Sequence, residues 1–567
     1  MTAIDTAVRF ERAERRDVPP APRLRVRGLD VGFRVDGAVR RIVSGVDLDL
    51  APGECVAIVG ESGSGKSVTA RSLVGLTGRG AVVEAEELSL HGRDVRRFRS
   101  RDWRRVRGRE VGFVLQDALV SLDPLRPVGA EIAEALRLHG VPRGERRARV
   151  LELLAAVGVP LPELRARQRP GALSGGLRQR ALLASAIALD PDVIIADEPT
   201  TALDVTVQAQ VLSLLEERKR RGASIVLISH DLSVVARLAD RILVMRSGSV
   251  VEQGPSTDVL RNPVHDYTRA LIAAVPSAAT RGRALSPVAP PAAALGSSRP
   301  APAAADAPVL RARGLVKRFV RPDGTETRAV DGVSFDLAPG ETLGIVGESG
   351  SGKSTTAKLA LGLEEPDAGT VEVLGEPWSP LPESRRRERR RLISVVDQDP
   401  LSSFDPRWNV ERILVDALPE AERRDAARRR ARVRELLELV GLPEAVLARF
   451  PLRLSGGQRQ RVAIARALAP RPSVIVLDEA VSALDVTIQA QILDLLTALQ
   501  RSSGVAYLFI SHDLGVISHL SDRVLVMKDG VVVEEGTAES VFERPAHPYT
   551  RELVASIPDL PLAASAS

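Results

Sequence analysis

Short apolar runs rich in β-branched residues recur along the chain: VAIVG at 56–60, VIIADE at 193–198 and SIVLIS at 224–229. Runs of this length, closed by Gly, Asp or Ser, predict strands buried on both faces, as in a parallel sheet. Between them the apolar spacing switches to the helical period, in ARVLELLAAVG (148–158) and VQAQVLSLLEERKRR (207–221). The alternation predicts an α/β core. The stretch from about 117 to 180 carries more helical signals and predicts a helical subdomain.

The pattern then repeats. GESGSGKS occurs at 60–67 and 347–354, and LSGGLRQR (173–180) returns as LSGGQRQR (454–461). VIIADEPTTALDVTVQAQVL (193–212) matches VIVLDEAVSALDVTIQAQIL (474–493), and LISHDLSVV (227–235) matches LFISHDLGVI (508–517). The halves are therefore collinear. Residues 277–308 are Ala, Pro and Ser with almost no large apolar side chain, too few to offset the entropy of ordering. The expected organisation is a disordered N-terminus (1–22), a first domain (23–276), a flexible linker (277–308), a second domain (309–560) and a disordered tail (561–567).

At 567 residues the chain is too long for one core, and at about 150 residues per domain its length alone allows three or four. Neither a run of 18 apolar residues nor an apolar secretory core is present, so the chain is expected in the cytoplasm, reaching a membrane only through a partner. The single cysteine, Cys55, excludes internal disulfides and multi-cysteine metal sites, and its run predicts a buried strand thiol. The net charge of +6 comes mostly from arginine mixed with acids, as in ESRRRERRR (383–391). That mixture reads as a solvated helix face rather than a nucleic-acid patch.

G-x-x-x-x-G-K-S after an apolar strand is the strongest chemical signal. Glycines let the backbone curl so that its N–H groups face phosphate oxygens, and the following helix adds its positive end. The first loop comprises Gly60, Glu61, Ser62, Gly63, Ser64, Gly65, Lys66, Ser67 and Val68. The second comprises Gly347, Glu348, Ser349, Gly350, Ser351, Gly352, Lys353, Ser354 and Thr355. The lysines are placed for the β- and γ-phosphates of a nucleotide, and Ser67 and Ser354 for Mg²⁺. Two apolar strands end in paired acids: Asp197 and Asp478 to hold the ion through water, Glu198 and Glu479 to polarise an attacking water. Capping of the next helix is the bland alternative. It does not explain why both pairs follow an apolar strand.

LSGG-x-RQR, then D-E, then ALD, then a lone His after a strand, resembles the nucleotide-binding domain of ABC transporters, over nearly all of both halves. The resemblance implies two P-loop NTPase domains of α/β class, each with a parallel-sheet core, a helical subdomain and a small C-terminal tail. It implies that Ser174, Gly175 and Gly176 grip ATP held by the second half, and Ser455, Gly456 and Gly457 ATP held by the first. Gln116 and Gln398 resemble the glutamine that contacts Mg²⁺ and water; His230 and His512 resemble the histidine at the γ-phosphate. Asp204 and Asp485 close the ALD strings and are expected to face the partner domain. Phe33 and Phe319 either stack on adenine or belong to the core.

QDALVSLDP (116–124) and QDPLSSFDP (398–406) are similar to the string that marks peptide and nickel importers, with Asp123 and Asp405 where that string usually has Asn. NPVHDYTRALIAAVP (262–276) and RPAHPYTRELVASIP (544–558) resemble the tail of the same oligopeptide/dipeptide branch. For His265, Tyr267, His547 and Tyr549 packing of that tail is preferred to a ligand role. The branch implies two transmembrane permeases, docked on the helical subdomains, and an extracytoplasmic solute-binding protein; no nucleic acid is expected. The chain would then work at the cytoplasmic face of the membrane. The alternatives are an efflux ATPase subunit and a soluble ribosome-acting tandem ATPase. The latter joins its halves by a charged helical linker, which 277–308 is not. The transported solute, whether peptide, nickel chelate or glutathione, is left open.

Leu177 stands where the twin string has Gln458. Relatives with Gln there can bond the ribose, and losing one neutral hydrogen bond costs about 0.5–1.5 kcal/mol. The leucine therefore tunes the first string rather than disabling it. Leu177→Gln is expected to leave ATP turnover within about tenfold; a hundredfold gain in a steady-state ATPase assay would show a crippled signature.

Overall fold

The apolar runs of the first half form neighbouring parallel strands. Cys55–Val59 pairs with Ser224–Ile228 on one side and Arg241–Arg246 on the other, and Val193–Asp197 and Val111–Val114 continue the sheet. Ser249–Pro255 adds an antiparallel edge. Every residue of Cys55–Val59, Val193–Asp197 and Ser224–Ile228 is buried, which is why these runs are apolar throughout rather than alternating. The second half repeats the order with Val531–Thr537, Arg523–Lys528, Thr342–Val346, Ala506–Ile510, Val474–Asp478 and Ile393–Val396. The structure, a computed structural model, describes residues 21–115, 121–200, 203, 205–290, 307–320, 326–482 and 484–555. Gln116 and Asp204 lie outside the described residues, as do 1–20, 291–306 and 556–567.

A second, antiparallel sheet flanks each core. Leu24–Val35 pairs with Ala38–Leu50 and with Glu87–Leu90; Leu310–Val320 pairs with Glu326–Leu337 and Ala368–Val373. The expected helical subdomain is built from Val128–Leu138, Arg143–Ala156 and Gly175–Ala186, and its twin from Val410–Asp416, Ala426–Val440 and Gly456–Leu468. Ile132, Leu136, Leu153 and Leu183 are fully buried there, each worth about 1.5–3 kcal/mol. They join one apolar cluster that also includes Leu436 and Leu493 of the second half. Cys55 is buried as expected, and burial pushes its thiol far above the ordinary range, so it is inert.

Two expectations need correction. ESRRRERRR is not a free helix face: a short helix, Glu383–Arg386, passes into a 3-10 turn, Arg387–Leu392. Arg389 donates to the carbonyls of Pro377 (3.0 Å) and Val373 (2.7 Å), while Arg390 donates to Leu361 (2.6 Å) and stacks over Trp378. These arginines tie chain together. The linker, for its part, is anchored where it begins. Thr280 Oγ1 meets His519 Nδ1 at 3.1 Å, Arg281 donates to Ser521 O at 2.5 Å, and Leu285 is buried. The Leu285 and Ser286 amides donate to the two carboxylate oxygens of Asp494 at 3.0 and 2.8 Å.

This strap explains residues that differ between the halves. Asp494, Gly515 and His519 stand where the first half has Ser213, Ser233 and Arg237. A Cβ at Gly515 would sit 2.6 Å from the Pro276 carbonyl, so only glycine allows the approach. Asp494→Ala is expected to free the strap: the Leu285 and Ser286 amides lose an anionic acceptor worth about 1–3 kcal/mol. Their hydrogen exchange, read by mass spectrometry, would accelerate about ten- to a hundredfold.

Candidate functional site

Each phosphate loop leaves the carboxyl end of a central parallel strand and enters a helix, Lys66–Ser72 or Lys353–Leu361. Its shape is forced by close approach. A Cβ at Gly60 would lie 2.2 Å from the Met245 carbonyl, and one at Gly347 2.1 Å from that of Met527. The Gly248 amide donates to Ser64 O at 3.0 Å and the Gly530 amide to Ser351 O at 3.1 Å, fixing the loop crown to the next hairpin. Ser62, Ser349, Gly63 and Gly350 lie at the exposed turn, with Gly63 and Gly350 at positive φ. Gly65 and Gly352 open the helices, also at positive φ, and Val68 and Thr355 are half-buried in their first turns.

The lysines point back into the loop. Lys66 Nζ donates to the carbonyls of Gly60 (2.7 Å) and Glu61 (2.9 Å); Lys353 Nζ donates to those of Gly347 and Glu348, both at 2.8 Å. Burial lowers the pKa of Lys66, opposed by Glu198, by Asp485 of the second half, and by Asp197. Ser67 Oγ donates to Asp197 Oδ1 at 2.9 Å and Ser354 Oγ to Asp478 Oδ1 at 3.3 Å. Burial pushes both aspartates up; Glu198 adds to the effect on Asp197, and Glu479 to that on Asp478. Asp197 Oδ2 is buried without a hydrogen-bond partner. A hydroxyl beside a buried acid with a spare oxygen fits a hard divalent cation such as Mg²⁺. Among the described residues no three His, Cys, Asp or Glu side chains converge, so such an ion would complete its shell with phosphate and water oxygens.

Glu198 and Glu479 follow their strands in the left-handed region, at φ 51° and 50°, which costs a non-glycine residue about 1–2 kcal/mol. Their amides donate to Ile228 O and Ile510 O, both at 2.9 Å, holding the turn. The side chains thereby reach the histidines: Glu198 Oε1 and Glu479 Oε1 each lie 3.3 Å from Nδ1 of His230 and His512. Gln398 Nε2 donates to Glu479 Oε2 at 2.6 Å, so both oxygens of that carboxylate are held. Burial works against ionisation of each histidine, but the glutamate beside it and the following aspartate (Asp231 or Asp513) outweigh it, and both pKa values rise. Burial also pushes Glu479 up, yet His512, Lys353 and Gln398 together hold it below the ordinary value.

Across the halves, Thr206 Oγ1 donates to Glu348 Oε1 at 2.7 Å, and the negative charge of Asp485 raises the pKa of Lys66 against burial. Each histidine is followed by an aspartate that caps the next helix and accepts from a glutamine, Gln208 to Asp231 at 3.2 Å and Gln489 to Asp513 at 3.3 Å. The signature serines cap their own helices: Ser174 Oγ accepts from the Leu177 amide at 3.4 Å and Ser455 Oγ from that of Gln458 at 3.2 Å. Gln458 Oε1 in turn accepts from the Ser455 amide at 3.2 Å, a capping box, whereas Leu177 packs against the apolar cluster. Gly175, Gly176 and Gly456 form the first turns, and a Cβ on Gly457 would strike Ile488 at 2.7 Å. Phe33 is half-buried on an outer antiparallel strand, and Phe319 lies 41% exposed beneath Lys317.

The tail tyrosines do more than pack. Tyr267 Oη accepts from the Glu61 amide at 2.8 Å and Tyr549 Oη from the Glu348 amide at 3.1 Å. The tails thus touch the phosphate loops directly.

Residues 43–201 and 330–482 match the family model described as ABC transporter, and 251–297 and 533–565 the model of the oligopeptide/dipeptide transporter C-terminal region. The chain is 43% identical to the oligopeptide transport ATP-binding protein OppD of Mycobacterium bovis, over 95% of this chain and 98% of that protein. It is equally identical to the glutathione import ATP-binding protein GsiA of Escherichia coli, over 94% of this chain and 89% of that one. Among solved structures, an archaeal ribosome recycling factor, aABCE1, aligns over 88% of both chains with a TM-score of 0.58 at 22% identity, a likeness of fold alone.

The His512–Glu479 pair has a pH signature. A histidine raised above its ordinary 6.5 contributes stability below that value and loses it as pH rises through the folded pKa; a glutamate held below 4.5 contributes above 4.5 and loses it as pH falls through its folded pKa. The pair is intact between the two. Imidazole NMR is expected to show His512 titrating above 6.5, and at a lower midpoint in Glu479→Gln, where only Asp513 still opposes burial. An unmoved midpoint would contradict the pairing.

Proposed function

Because the chain belongs to the ABC transporter ATP-binding family, with tails of the oligopeptide/dipeptide branch, we propose that it is the ATP-hydrolysing subunit of an importer for peptides or similar small solutes. The observation that carries this reading is the duplicated set of lysine, serine, acid pair and histidine, each beside a branch-specific tail. The names of the relatives, one for oligopeptide transport and one for glutathione import, support uptake of a short peptide or peptide-like solute.

The two ATP sites are composite. One uses Lys66, Ser67, Asp197, Glu198 and His230, with Gln116, completed by Ser455, Gly456 and Gly457. The other uses Lys353, Ser354, Gln398, Asp478, Glu479 and His512, completed by Ser174, Gly175 and Gly176. The Thr206–Glu348 bond and the action of Asp485 on Lys66 support the head-to-tail arrangement. Phe33 and Phe319 remain the residues proposed to stack on adenine. Mg²⁺ would be held by Ser67 and Asp197 or by Ser354 and Asp478, and would supply neutralisation of the β- and γ-phosphate charge.

The chain's own residues do the rest. Lys353 Nζ is held by the carbonyls of Gly347 and Glu348 at the entry of its loop. Glu479 is tied by His512 and Gln398, neither of which can then serve a γ-phosphate or water. Arrival of the γ-phosphate draws His512 and Gln398 to it, and the freed Glu479 Oε accepts the hydrogen bond of the attacking water. Hydrolysis is thereby coupled to site assembly.

No helix among the described residues is long and apolar enough to cross a membrane, so transport needs membrane permeases. Exposed Leu125, Leu161 and Leu164 in one helical subdomain, and Phe450 and Leu452 in the other, support permease docking there. An extracytoplasmic solute-binding protein and a place at the cytoplasmic face complete the proposal. Glu198→Gln and Glu479→Gln, made separately in the assembled transporter, are each expected to lower ATPase activity at least tenfold. A variant that keeps the full rate would refute two working sites. A binding protein loaded with a short peptide is expected to stimulate ATPase in proteoliposomes, and a system driven only by loss of solute from the inside would refute import.

A further inference from the structure

The tail beyond each core sheet is tied at both ends. Glu252, on the edge strand Ser249–Pro255, accepts the amides of Val264 (2.8 Å) and His265 (3.0 Å), and His265 Nδ1 accepts that of Tyr267 at 3.0 Å. In the second half Glu534 accepts from Ala546 (2.8 Å) and His547 (2.9 Å), and His547 Nδ1 from Tyr549 at 3.2 Å. This chain of bonds fixes where each tyrosine stands. A cation covers each ring, Arg246 at 5.0 Å and Lys528 at 4.5 Å, both from the strand beside the phosphate-loop strand. Each hydroxyl then accepts from the first amide after the loop's entry glycine.

That amide belongs to Glu61 or Glu348, whose flanking carbonyls are the ones that bind the loop lysine. A lysine that moves onto β- and γ-phosphates leaves those carbonyls. The tyrosine uses the amide and not those carbonyls, so its bond does not depend on where the lysine points. We propose that Tyr267 and Tyr549 are positioning residues that pin the entry of each phosphate loop while its lysine changes partner, making the branch-specific tail part of the nucleotide site. Thr206 bonds the Glu348 side chain from the opposite half, so the same residue is held by its own tail and by the partner half.

The proposal rests on the ATP-binding reading of the loops, which Lys66→Ala and Lys353→Ala test separately. Isothermal titration of the full chain with MgATP follows binding, and ATPase of the assembled transporter follows turnover. Tyr267→Phe and Tyr549→Phe keep the ring and its cation and remove the hydroxyl that accepts the loop amide. Each is expected to raise KM and Kd for ATP about two- to tenfold and to leave kcat within about twofold. Leu271→Ala, in the apolar face of the same tail, is expected to lower Tm more than Tyr267→Phe does and to leave KM within about twofold. Unchanged KM and Kd in both phenylalanine variants would overturn the proposal, as would an equal rise in KM for Leu271→Ala, which would make the tail a mere support. If the lysine variants bind ATP normally, it is the ATP-binding reading that fails.

Discussion

A buried ammonium that must be both held and released governs this molecule. Lys66 and Lys353 are 7% and 6% exposed. An unpaired charge at that depth is costly by several kcal/mol, so the loop turns carbonyls toward it. Turning them requires the backbone to approach the next hairpin more closely than any side chain allows, hence Gly60 against Met245 and Gly347 against Met527. The hairpin must in turn be fixed, and the amides of Gly248 and Gly530 fix it to the loop crown. Parallel strands set the acids of Val193–Asp197 and Val474–Asp478 opposite the loop, at the carboxyl ends where such sheets place their ligands.

Much of this was legible in the sequence because it is written in backbone demands. Only glycine meets the loop geometry, only fully apolar runs suit strands covered on both faces, and only acids at strand ends face the loop. The central sheet, the helical subdomain and the lysine, serine, acid and histidine of each half follow from such local rules. The antiparallel sheets were less legible: Leu24, Val26, Leu29 and Val31 are buried on a strand broken by bulges, which disrupts the period-two pattern. The tyrosine contacts were not legible at all. Tyr267 and Glu61 stand 206 positions apart, and a tyrosine beside a capping histidine has the same local pattern whether its hydroxyl meets solvent or a loop amide.

The strap shows how a duplicated chain becomes unequal. A segment poor in large apolar groups has little to bury, and it is anchored instead by one carboxylate taking two amides and by one leucine. The surface it needs exists on only one half, at Asp494, Gly515 and His519. Burial lowers the pKa of His519, whereas its counterpart Arg237 is free to pair with Glu216 at 2.7 Å on an uncovered surface. Gly515 begins the helix that follows His512, so the segment leaving the first half packs on the helix behind the second half's histidine.

Leu177 belongs to the same inequality. Gln458 Oε1 accepts from the Ser455 amide, while Leu177 gives up that bond and packs on apolar neighbours, yet the two signature helices start with the same backbone geometry. Ser174 still caps its helix through the Leu177 amide, a bond that needs no particular side chain at 177. The turn that presents Ser-Gly-Gly is therefore set by backbone and serine, and the leucine leaves it intact. An inactive copy would instead lose a residue whose atoms reach phosphate or water. Both halves keep the lysine in its loop, the serine on its aspartate and the glutamate on its histidine, so whatever distinguishes the two sites lies in what surrounds this machinery.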